Sequence, residues 1–157
     1  MRRKLALFPI LLVTACLVAG FYGALHDQIS YTISPDYYYS FKFNQFRIPV
    51  VLRNRIGASM VGWYASWWMG LLIGIPVLLL GLIMPDRKSY VTRSLVAFGV
   101  VAFTSLVVGL TALFNAGDMN SFDRVGTMHN HSYLGGGLGI ITASIYLIIE
   151  RMRLTRH

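Results

Sequence analysis

Four long apolar stretches divide the chain, and its charges are confined to the gaps between them. Between Lys4 and His26 the only titratable side chains are Cys16 and Tyr22. Runs free of acids, Lys, Arg and His also cover Ile56 to Pro85, Ser94 to Gly117 and Ser132 to Ile149. A helix rises 1.5 Å per residue, so about 20 apolar residues cross the hydrocarbon core of a bilayer. The pattern predicts an all-α polytopic membrane protein, a bundle of four transmembrane helices forming one transmembrane domain. The expected helices cover about 5–25, 57–84, 94–115 and 133–149. An outer loop (26–55), an inner loop (85–93) and a second outer loop (116–132) join them.

Two of these elements depart from a plain span. Continuous helix from Ile56 to Pro85 would measure about 45 Å, longer than the bilayer core. Trp63, Tyr64, Trp67 and Trp68 mark an aromatic belt part-way along it, so its first residues are expected to project beyond the membrane. Pro76 is expected to kink the remainder. The fourth helix is short, about 27 Å from Ser132 to Ile149, which puts His131 at the membrane boundary.

The first outer loop is rich in rings: Tyr31, Tyr37, Tyr38, Tyr39, Phe41, Phe43 and Phe46. Ser34-Pro35-Asp36 reads as a helix start, with Ser as N-cap, Pro at the first helical position and an acid in the first turn. The segment 35–46 is thus expected to be a short helix in the outer interface. The alternation of Tyr39, Phe41 and Phe43 with polar residues leaves a strand as the competing reading. In either form it serves as a lid or docking surface.

Composition agrees with the pattern. Of 157 residues, 55% are hydrophobic and 13% charged, too few charges to coat a soluble globule. The net charge of +8 follows the positive-inside rule and gives no sign of nucleic-acid binding; the partner it implies is the lipid bilayer. With both termini cytoplasmic, Arg2, Arg3, Lys4, Arg87, Lys88, Arg93, Arg151, Arg153 and Arg156 lie inside. Lys42, Arg47, Arg53, Arg55 and Arg124 lie outside. The expected location is an inner membrane, multi-pass. Val13-Thr14-Ala15-Cys16 resembles a lipoprotein cleavage box, but the apolar run continues to Leu25, which favours retention as the first helix. The lone Cys16 allows no internal disulfide.

Small residues recur at helix-packing spacing, Gly70/Gly74 and Gly135/Gly139. Such faces let helix backbones approach closely and suggest a homo-oligomer or a partner membrane subunit. Asn54-Arg55-Ile56-Gly57 echoes Asp123-Arg124-Val125-Gly126, which a duplicated hairpin or chance similarity would explain.

The candidate chemistry lies at the outer edge. Three of the four histidines fall there: His26 after the first run, and His129 and His131 before the fourth. Counting helix rise from Lys4 and back from Glu150 places His26 and His131 about 33 Å and 28 Å from the inner boundary, nearly one level. Asp27 and Asp123 lie close in sequence to these histidines. Two or three imidazoles with a carboxylate suit copper, zinc or iron. The expected metal ligands are therefore His26, His129, His131, Asp27 and Asp123, with haem between the first and fourth helices as the alternative cofactor. One obstacle is visible in advance. Residues two apart on a helix point about 200° apart, so His129 and His131 cannot share an ion unless the helix unwinds.

No acid or base lies in mid-membrane, which argues against a proton-coupled transporter. No phosphate loop, nucleophile elbow or HExxH motif is present. Metal handling or electron transfer is the expected function. The alternative is a non-catalytic accessory or assembly subunit of a larger membrane complex.

Overall fold

The computed structural model describes residues 2–156 and is all-helical, with no strand among the described residues. A short turn, Arg2–Leu5, leads into α1 (Phe8–Ile33), which carries Pro9 in its first turn, where no helical N–H is lost. Helix α1 runs well past the apolar stretch. His26, Asp27 and Ser30 are therefore helical residues with buried side chains rather than the start of a loop. The helix stops at Ser34, which leaves helical geometry (φ −144°, ψ 87°), and Pro35 follows. A residue before proline is driven out of helical geometry.

The segment expected as helix or strand is helical. Ser34 Oγ accepts from the Tyr37 backbone N–H at 3.4 Å. A π-helical stretch, Tyr37–Lys42, then passes into a turn of α-helix, Phe43–Gln45. The wider π winding turns Tyr37, Tyr38 and Phe43 inward, where they pack with Ile48, Ala58, Val61 and Val125.

After a 3-10 turn (Val50–Leu52), the second apolar run forms two helices, α2 (Arg55–Ser66) and α3 (Met69–Gly81), bent by 46° at Trp67-Trp68. The bend falls at the tryptophans, not at Pro76, which lies inside α3. It lays the small faces of both helices against α1. A Cβ on Gly62 would strike the Gly23 carbonyl, and one on Gly70 would strike the backbone of Cys16. Helix α4 (Arg87–Phe114) is capped by Asp86, and α5 (Ser121–Thr155) by Asn120. Gly135 and Gly139 seat the backbone of Ser105 and Val101, joining α5 to α4. The glycine faces read as outward interfaces are thus occupied within the chain.

Helices α1, α4 and α5 are each long and apolar enough to cross a membrane. Their outward faces carry exposed Ile10, Val13, Phe21, Phe103, Ile141 and Ile145, which only an apolar solvent would tolerate at this density. The fold is two helix pairs, α1 with α2–α3 and α4 with α5. Two buried clusters join them. The aromatic one sits at the 37–48 end, and an aliphatic one around Leu78, Tyr90 and Leu147 sits at the other. The histidines lie between these clusters.

Candidate metal centre

The positions of the histidines follow from helical phase. The buried stripe of α5 runs through Val125, Met128, His129, Ser132, Gly135, Gly136 and Gly139, a spacing of three and four that defines one face. His129 belongs to it. His131 does not, and it is exposed, with Nδ1 2.9 Å from its own helix's Thr127 carbonyl. On α1 the inward face at this level presents His26, Asp27 and Ser30.

Three of the five expected ligands meet. His26, Asp27 and His129 each offer a ligand atom, and these atoms lie within 4.8 Å of one another. His26 Nδ1 is 3.3 Å and His129 Nε2 is 3.2 Å from the same carboxylate oxygen, Asp27 Oδ1. All three residues are buried, with exposures of 6%, 5% and 8%. The other two expected ligands are elsewhere. His131 faces outward, and exposed Asp123 is engaged in its own helix cap, accepting from Asn120 Nδ2 at 2.8 Å. The two histidines of the triplet separate because α5 does not unwind there.

The ring nitrogens, hydroxyls and carboxylate form one hydrogen-bonded network. With Asp27 ionised, its Oδ1 accepts from both His26 Nδ1–H and His129 Nε2–H. His26 Nε2 then accepts from the Ser132 hydroxyl at 3.0 Å. Ser30 Oγ lies 2.7 Å from the Tyr38 hydroxyl and 3.3 Å from His129 Nε2. The Tyr38 hydroxyl also donates to the Asp27 carbonyl at 3.2 Å. One atom stands outside this network: His129 Nδ1 is buried with no partner. The Tyr37 ring packs on His129 with centroids 5.2 Å apart, and the His26 and His129 rings lie 4.9 Å apart. Burial, and then the charge of Asp27, push the Tyr37 phenol up to about 12 and Tyr38 higher still, so both phenols stay neutral above the site.

Sequence reading did not select Ser30, Tyr38, Ser132 or Lys42. Two signals were present: Ser30 follows His26 by one helical turn, and Ser132 follows His129 at the spacing of the small-residue stripe. The contacts of Tyr38 and Lys42 depend on the π winding, which no local pattern announces.

Two imidazole nitrogens and a carboxylate oxygen within 4.8 Å of one another are the kind of donor set that transition metals take. Around a tetrahedral ion with bonds of 2.0–2.1 Å, neighbouring ligand atoms stand about 3.3 Å apart. The two separations from Asp27 Oδ1 are 3.3 and 3.2 Å. An ion here would require the other tautomer of each ring, the proton standing on His26 Nε2, where it would be donated to Ser132 Oγ, and on His129 Nδ1, which has no partner. Haem fits less well, because both histidines point at one carboxylate oxygen with no gap for a macrocycle between the rings. Below the cluster, a cavity of ≈ 80 Å³ runs between the helix pairs, and His26, Asp27, Lys42, His129 and Ser132 line its polar end.

No protein-family model, curated protein or solved structure matches this chain.

Proposed function

We propose that this is a four-span membrane protein holding a divalent transition-metal ion on His26 Nδ1, Asp27 Oδ1 and His129 Nε2, for metal handling or electron transfer. The convergence of two imidazole nitrogens on one buried carboxylate oxygen carries the reading. Two histidines and one carboxylate occupy three positions and leave others open, the arrangement of catalytic zinc and of non-haem iron(II). All three residues line the cavity. Iron would support electron transfer, and zinc would polarise a bound oxygen or water.

In this reading the bent pair α2–α3 forms one span, with Trp67 and Trp68 at its outer boundary. Both termini are cytoplasmic in an inner membrane, so the metal centre lies near the outer face under the 35–46 segment. The inner ends are tied by Lys4 Nζ, which donates to the carbonyls of Leu82 (2.8 Å) and Met84 (2.6 Å). Buried Glu150 pairs there with Arg93 at 2.9 Å and Arg153 at 3.0 Å. The accessory-subunit reading draws less support, since the glycine faces that would dock a partner pack inside the chain.

Elemental analysis tests the proposal. Protein purified in mild detergent and dialysed against metal-free buffer, then titrated with zinc or iron(II), is expected to take up one equivalent. His26→Ala and His129→Ala should each abolish uptake. Uptake that persists in both variants would remove the site.

A further inference from the structure

Helices α1 and α2 meet backbone to backbone at Gly23 and Gly62, and an open groove follows the outward seam between them. Phe21 and Ala24 line it from α1, and Ile56, Met60, Trp63 and Tyr64 from α2. Trp63 is fixed there, its ring over Gly20 and edge-on to Phe21 with centroids 5.2 Å apart. Phe21 and Ile56 are each 62% exposed and Tyr64 46%, a face suited to lipid rather than water. Toward Thr32 the seam turns polar. Ser59 also lines the groove, and Gln28 Nε2 donates to Ser59 Oγ and to the Arg55 carbonyl, both at 2.8 Å. Thr32 follows Gln28 by one turn on the same face of α1, and its hydroxyl accepts from Arg55 Nη1 at 3.0 Å. The Arg55 guanidinium is thus held at this end of the seam, its carbon 5.6 Å from the Tyr31 ring centroid.

The charges at this end do not cancel. From Gln28 to Ser66 the one acid is Asp36, against Lys42, Arg47, Arg53 and Arg55. With Lys42 set against the buried Asp27, three arginines still face a single carboxylate. Asp36 accepts from Ser40 Oγ at 2.6 Å, and none of the three arginines forms a salt bridge among the described residues. Asp118 and Asp123 belong to the approach to α5 and its first turn, with Arg124 beside them. Arg55, engaged through one nitrogen, keeps donors for an anion, and its planar fork matches a phosphate. From Thr32 down to Phe21 is about 16 Å of helix rise, whereas a headgroup layer is about 6 Å deep. With Arg55 among the phosphates, the Phe21 end therefore reaches acyl carbons. The seam runs from polar to apolar in the same order as a phospholipid.

We propose that the α1–α2 seam binds an anionic diacylphospholipid, its phosphate on Arg55 and an acyl chain against Phe21 and Trp63. The site rests on the membrane-spanning reading and is independent of the metal. The test uses a Trp67→Phe/Trp68→Phe chain, which keeps Trp63 as its one tryptophan, in phosphatidylcholine nanodiscs holding one chain each. Brominated acyl chains quench tryptophan fluorescence on contact. Brominated phosphatidylglycerol should quench Trp63 at about fivefold lower mole fraction than brominated phosphatidylcholine, the factor for one arginine beside an anionic lipid. Arg55→Gln should abolish that preference, while Arg47→Gln, an equal change of charge, keeps it. Circular dichroism confirms that each variant is helical. Excess inorganic phosphate should not compete, and a preference lost to it would assign the site to a free anion instead. Equal quenching by the two lipids, or equal effects of the two arginine variants, would overturn the headgroup assignment. Trp63 left unquenched by both lipids would overturn the site. A chain that fails to enter the discs at all would remove the membrane reading, and this site with it.

Discussion

Asp27 Oδ1 stands 3.2 Å from His129 Nε2 across 102 positions of sequence, and this contact joins the two helix pairs at the level of the proposed metal centre. The same oxygen accepts from His26, so one atom organises both imidazoles. Asp27→Asn should lower metal affinity by about 100-fold, because a neutral amide binds a divalent cation poorly and its NH₂ half repels a ring N–H. Asp27→Ala should in addition destabilise the metal-free protein by about 2–3 kcal/mol, the range for hydrogen bonds to a buried charge. Metal titration and denaturation in mixed micelles measure the two effects separately. Asp27→Asn with undiminished metal affinity would remove Asp27 as a ligand.

The two members of the His129-Asn130-His131 triplet should behave as unrelated residues. His131→Ala removes an exposed ring whose hydrogen bond is local to α5. It should change stability by less than about 0.5 kcal/mol and leave metal binding intact. His129→Ala should eliminate metal binding and leave Asp27 Oδ1 with His26 as its one remaining imidazole partner. Parallel metal titrations of the two variants decide the matter, and equal losses would show that α5 unwinds at the site.

How far the site could be read in advance follows from the same pair. Counting helix rise brought His26 to the level of the triplet, since depth depends only on the 1.5 Å rise and on where charges begin. Azimuth was the missing coordinate. His129 is four residues after Val125 and three before Ser132, inside the small-residue stripe that seats α5 on α4, whereas His131 falls outside it. Gly135/Gly139 make the stripe visible in the sequence, but small-residue spacing alone does not separate an internal helix face from one that docks a partner, so it does not set the phase. Asp123 is near the histidines in sequence, yet an acid three residues after Asn120 is also a first-turn capping residue. The charge-free runs were sufficient to expect the long helices. The π winding of residues 37–42 was not legible, because it depends on packing Tyr37, Tyr38 and Phe43 together.

Glycines at matched spacing should differ sharply according to what faces them. Gly23 and Gly62 put the backbones of α1 and α2 in mutual contact, and a Cβ on either falls on the other's carbonyl oxygen. Gly23→Ala should force the helices apart and cost about 1–3 kcal/mol. Gly137 has nothing within 4 Å of its added Cβ, so Gly137→Ala should stabilise α5 by about 0.5–1 kcal/mol through helix propensity alone. Thermal unfolding in micelles reads both. Similar shifts for the two variants would contradict the intramolecular packing of the α1–α2 face.

Asp86 offers a pH test at the opposite end of the bundle. Its carboxylate accepts from the Ser89 backbone N–H at 2.9 Å and the Ser89 hydroxyl at 2.7 Å, capping α4. Those two bonds hold the Asp86 carboxyl below its usual value of 3.8 in the folded protein. The folded state therefore binds its proton less readily than the unfolded chain, and the cap's contribution is complete above the unfolded value. It is lost as pH falls through the lower folded value. Hydrogen exchange at the first-turn amides of α4 should accelerate, relative to the intrinsic rate, only in that acid window. Asp86→Asn keeps a capping oxygen and should remove the pH dependence while retaining protection at neutral pH. Asp86→Ala should expose the Ser89 amide at every pH, and protection that survives in that variant would show that Asp86 does not cap the helix.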